Sequence, residues 1–105
     1  MIRPVITAAA LLLGACGLDH SITHGADGKP EWDRRLHAAV PLGIEEAAAR
    51  SLLKRNGFRC EPRPTGLSCD KWSHRAVVRR HWMAVLQVRE GRVTEVRSST
   101  TLIRP

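Results

Sequence analysis

The chain has 105 residues, with 17 Lys and Arg against 10 Asp and Glu and a formal net charge of +7. Such a balance fits either a simply soluble basic domain or one that meets anionic partners. Three cysteines, none in Cys-x-x-Cys spacing, exclude a dithiol redox centre, and their neighbourhood offers too few ligands for structural zinc. The sequence therefore implies no metal and no cofactor. At the start of the chain Arg3 precedes the apolar run Val5–Leu13, and small residues then lead to Cys16. The nine residues of this run fall far short of the roughly 20 needed to span a bilayer. They match the apolar core of an export signal, with small residues at the cleavage end. Residues 1–15 read as a signal peptide, 16–30 as a modified N-terminus and flexible tether, and 31–105 as one small domain.

Leu13, Gly14, Ala15 and Cys16 stand in the order of the lipobox, and the N-terminus resembles the bacterial lipoprotein precursors. The resemblance implies cleavage before Cys16, a diacylglyceryl thioether on its sulfur, and a further acyl chain on the new amine. Gly17, in place of an Asp, implies an outer-membrane anchor facing the periplasm over an inner-membrane one. Two or three acyl chains at about 0.8 kcal/mol per methylene hold a protein permanently. An exported location removes nucleic acid from the partners of a basic chain. It leaves anionic lipid, lipopolysaccharide or an acidic envelope protein.

The segment Gly17–Pro30 is rich in glycine and polar residues and lacks apolar periodicity, which predicts a tether with a turn at Asp27-Gly28. His20 and His24, with Asp19 nearby, have helical spacing, but the glycines oppose a helix and leave them solvated. Glu31–Val40 predicts a short helix with Trp32, Leu36, Ala39 and Val40 on one side, ended by Pro41. Ile44–Asn56 is the stronger helix. Gly43 is its expected N-cap, Glu45 and Glu46 its acidic first turn, Lys54 and Arg55 its basic last turn, and Gly57 its left-handed terminator. Ile44, Ala47, Ala48, Leu52 and Leu53 are its expected buried stripe.

Four strands follow: Phe58–Glu61, Leu67–Trp72, His81–Arg89 and Arg92–Ile103, with turns at the Pro62–Gly66 segment and at Glu90-Gly91. The last strand alternates weakly, so a bulge is open there. With Cys16 consumed by lipid, Cys60 and Cys69 remain as a pair, which an oxidising compartment joins as a disulfide clamping the first hairpin. The expected fold is α+β: one main helix packed on a four-stranded antiparallel sheet, one disulfide, and a flexible N-terminal tether. In element order over residues 42–103 it resembles the small outer-membrane assembly lipoproteins of the SmpA/OmlA type and the helix–sheet unit of the β-lactamase-inhibitor-like fold.

Ser73-His74 and Ser98-Ser99 lack a nucleophile-elbow motif and a paired acid, so the chain reads as not an enzyme. The segment Trp72–Trp82 (WSHRAVVRRHW) sets basic groups between two tryptophans. Arg75, Arg79, Arg80 and Trp82 are its candidate contacts to an anionic lipid or protein. The leading expectation is a lipid-anchored, non-catalytic envelope protein that binds another protein or supports an assembly. An inhibitor or small-ligand module presenting the disulfide hairpin is the alternative, and an envelope hydrolase the third.

Overall fold

The computed structural model describes residues 21–104. The signal segment, Cys16, Asp19 and His20 lie outside the described residues. Two helices, α1 (Lys29–Ala39) and α2 (Glu46–Arg55), precede four strands, β1 (Arg59–Arg63), β2 (Gly66–Arg75), β3 (Val78–Arg89) and β4 (Arg92–Ile103). The strands form an antiparallel meander in the order β1-β2-β3-β4. The expected α+β class holds, with Cys60 and Cys69 joined by a disulfide directly across β1 and β2. No helix among the described residues is long and apolar enough to cross a membrane.

The first helix is a full element of the core rather than a minor one. Pro30 opens it, where a missing N–H costs nothing, and Trp32 and Leu36 are its buried residues. The Trp32 ring stacks on Phe58 at 5.6 Å and meets the edge of Trp82 at 5.5 Å. Its indole N–H donates to the carbonyls of Met83 and Ser99, both at 3.2 Å, so the polar end of a fully buried ring is satisfied on the β3–β4 ladder. Leu53, Leu67, Ala84, Leu86, Val93 and Val96 complete the core between helices and sheet.

The second helix begins later than its sequence suggests. Residues 43–46 first pair with the start of β4: Gly43 N–H donates to Val93 O, Val93 N–H to Ile44 O, and Glu46 N–H to Gly91 O. Glu45, in extended conformation, is therefore the N-cap in place of Gly43. Starting the helix at Glu46 also sets its phase. Ala49 and Leu53 are buried and Ile44 and Leu52 half-buried, whereas Ala47 and Ala48 face solvent. Gly57, at φ +90°, ends the helix as expected.

The weak alternation of β4 has a local cause. Gln87 pairs with Glu95 and Val88 with Val93, so Thr94 is an extra residue. That bulge lets Val93 and Val96, three positions apart, both enter the core, which a regular strand forbids.

The tether expected up to Pro30 is docked from Ser21 onward. The Ile22 N–H donates to the Asn56 side-chain carbonyl at 2.8 Å, and Arg35 donates to the carbonyls of Ile22 and His24. Thr23 is buried. Polar side chains hold this segment to the domain, with Ile22 and Ala26 packed against the core.

Candidate functional site

The segment Trp72–Trp82 is not a loop. Alternation carries β2 on to Arg75 and starts β3 at Val78, leaving only Ala76 and Val77 as the turn. Ala76 takes a left-handed φ of +56°, a conformation that alanine adopts in place of the usual glycine or asparagine. The result is a two-stranded ribbon with two unlike faces. Cys69 is buried under the helices, so every second residue after it, Lys71, Ser73 and Arg75, points to the helix side. Asp70, Trp72 and His74 point to the open side of the sheet, with Arg79 and His81 opposite them on β3.

On the open side, Trp72 sits between two cationic or titratable groups. The Arg79 guanidinium lies 5.2 Å from the Trp72 ring centre, and the His81 ring stacks on it at 4.4 Å. His81 Nε2 is hydrogen-bonded to Asp70 Oδ2 at 2.9 Å. The indole stays 43% exposed, so an ordered aromatic surface faces solvent. At the turn of the same hairpin, Val77 is 72% exposed.

On the helix side, Arg80 covers the face of Trp82 at 5.3 Å and donates to the Thr100 hydroxyl at 3.4 Å. The Trp82 indole N–H donates to Ser73 Oγ at 2.9 Å. Lys71 Nζ donates to Ser21 Oγ at 2.7 Å, Thr23 Oγ1 at 2.8 Å and the Asn56 carbonyl at 2.9 Å, which ties the 21–24 segment to the sheet. Between the ribbon and residues 23–27 lies a half-open groove of about 980 Å³.

The four contact candidates named from sequence therefore do not form one patch. Arg79 alone is on the open face, Arg75 and Arg80 line the groove, and Trp82 is 97% enclosed and belongs to the core. Trp82 is withdrawn as a surface contact, and Trp72 takes its place. Counting parity from the buried Cys69 would have made that assignment from sequence. Ser73 Oγ accepts from the Trp82 indole and Ser98 Oγ donates to Asp33 Oδ1 at 2.6 Å, so among the described residues neither hydroxyl is hydrogen-bonded to a histidine. The tip of the disulfide hairpin is bonded to the neighbouring β3, its Thr65 carbonyl accepting from Val88 N–H at 2.7 Å.

Two carboxylates on α1 are held below their ordinary range. For Asp33 the main cause is the Ser98 hydroxyl bond, opposed by partial desolvation and aided by the charges of His37 and Lys29. For Glu31 it is hydrogen bonding from Arg34, opposed by desolvation and aided by Arg35.

Comparison of the chain with protein-family models, with curated proteins and with solved structures gives no match.

Proposed function

We propose that this chain is an exported, lipid-anchored and non-catalytic envelope protein whose β2–β3 hairpin binds an acidic protein surface. The observation that carries this reading is Trp72, exposed yet in contact with both Arg79 and His81. Tryptophan and arginine dominate binding energy at protein interfaces, and an aromatic ring already ordered loses little entropy on contact. Arg79, exposed beside it, supplies charge complementarity to carboxylates. The Cys60–Cys69 disulfide supports export, because such bonds persist in oxidising compartments. Anchoring at Cys16, at the periplasmic face of an outer membrane, rests on the Leu13–Cys16 motif. The bond that holds Thr65 to β3 favours the β2–β3 hairpin over the disulfide hairpin as the presented element.

The test is photo-crosslinking in intact cells with a benzophenone side chain in place of Val77. The expected result is one discrete adduct with an acidic envelope protein, absent when the same side chain replaces Arg89 at the opposite end of β3. Absence of any adduct, or the same adducts from both positions, contradicts the reading. Metabolic labelling with an alkyne fatty acid, lost on Cys16→Ala, tests the anchor separately.

A further inference from the structure

The groove on the helix side of the ribbon is a second surface, separate from the open face that carries Trp72. Its volume of about 980 Å³ lies in the range of small-molecule sites. Its chemistry is divided. One wall presents Arg75 and Arg80, neither of which has a carboxylate partner among the described residues, and Ser73 stands directly opposite Arg80, two residues before Arg75 on β2. Arg80 is already positioned by Trp82 and by Thr100, so its guanidinium is not a freely moving surface charge. Apolar residues stand directly beside the arginines: Val78 opposite Arg75 and Leu102 opposite Arg80 both line the groove, and Leu102 is 38% exposed. Among the described residues, Asp27 is the one carboxylate on the lining.

Two arginines aimed at one space favour a group with several strong acceptor oxygens, which guanidinium binds in bidentate fashion. A carboxylate satisfies one such fork; a phosphate satisfies two. Apolar residues directly beside the arginines favour a ligand whose phosphate is attached to a hydrocarbon body. We propose that this groove binds the phosphate head of an anionic amphiphile, a single phospholipid molecule with its first methylenes over Val78 and Leu102. The proposal does not depend on the protein partner of the open face, and Arg79 belongs to that face alone.

The test uses the full chain in micelles of a neutral detergent, with the indole N–H signals of its tryptophans followed by NMR. The probes are dioctanoyl phosphatidate, dioctanoyl phosphatidylcholine and inorganic phosphate. Trp82 donates to a hydroxyl on the groove wall, and Trp72 stands on the other face, so the two indoles report the two surfaces separately. Phosphatidate is expected to shift the Trp82 signal saturably and leave Trp72 in place, with phosphatidylcholine and inorganic phosphate each at least about tenfold weaker. Arg75→Gln and Arg80→Gln are each expected to weaken phosphatidate by about tenfold or more, the loss of one charge-assisted pair, while Arg79→Gln stays within about twofold. Arg75 is exposed, so its variant tests the site even if Arg80→Gln perturbs folding. Equal binding of inorganic phosphate, a shift at Trp72 instead of Trp82, equal loss from Arg79→Gln, or no saturable shift overturns the proposal.

Discussion

Trp72 and His81 stand directly opposite each other on β2 and β3, and their rings stack with centroids 4.4 Å apart at 19°. Three residues along each strand from that pair, at Cys69 and Ala84, the same ribbon becomes the floor of the hydrophobic core. One hairpin thus serves stability at one end and presents an aromatic surface at the other. The two tryptophans that bracket the segment in sequence have opposite fates because they lie on opposite faces.

Trp72→Ala and Trp82→Ala should separate these roles. Loss of a half-exposed cross-strand pair costs about 1 kcal/mol or less. Loss of a buried indole that packs on Trp32 costs about 3–5 kcal/mol. Urea unfolding of both variants measures the difference. Equal losses would place Trp72 in the core and remove it as a contact residue.

Gly66 should tolerate no side chain. A Cβ there would lie 1.8 Å from the Leu86 carbonyl oxygen, a backbone atom that cannot turn aside. Gly66→Ala is expected to cost at least about 3 kcal/mol, at the upper end of overpacking penalties. An unfolding midpoint close to wild type would contradict the β2–β3 register at Leu67 and Leu86.

Cys60→Ser should lower stability under oxidising conditions by roughly 2–3 kcal/mol, the chain-entropy value for so short a loop. Cys60 is the better site for the substitution, since Cys69 is fully buried and a serine there adds a desolvation cost. Reducing agent should bring the wild-type melting temperature close to that of the variant. No difference between oxidised and reduced protein would mean the clamp adds nothing to the fold.

Acid stability should depend on the join between α1 and β4. The Asp33 carboxyl is held below its ordinary value, chiefly by the Ser98 hydroxyl. The unfolded chain therefore binds the proton first, and this contribution is complete above the unfolded value and lost as pH falls through the folded one. Ser98→Ala should flatten the fall in unfolding free energy between about pH 5 and pH 2. A residual slope of the same sign should remain from Glu31, which Arg34 and Arg35 hold low. An unchanged slope in the variant would assign the effect to other carboxylates.

Much of this layout is legible in the residues. The Lys54–Gly57 helix end, the Glu90-Gly91 turn and the paired cysteines announce themselves by local chemistry, and each stands where the sequence reading places it. Three features are hidden for physical reasons. The ribbon from Trp72 to Trp82 has a turn of Ala76 and Val77, which carries none of the residues that usually favour left-handed backbone. The α2 stripe is displaced by one position because Glu45 is spent on a bridge to Arg92 before the helix begins. Ser21–Asp27 docks through hydroxyls and amides on Lys71, Asn56 and Arg35, partners remote in sequence that no local pattern encodes. At the candidate site, arginine and tryptophan content was readable, whereas the division between faces needed the strand parity fixed by Cys69.

The hairpin's role is tested most directly by the yield of the residue-77 crosslink in intact cells carrying Trp72→Ala or Arg79→Glu. Both changes alter the open face and spare the core, so oxidised protein should accumulate to wild-type levels. A contact centred on the Arg79–Trp72–His81 stack requires the yield to fall by about tenfold or more, the size of a hot-spot loss. An undiminished yield from well-folded variants would contradict it.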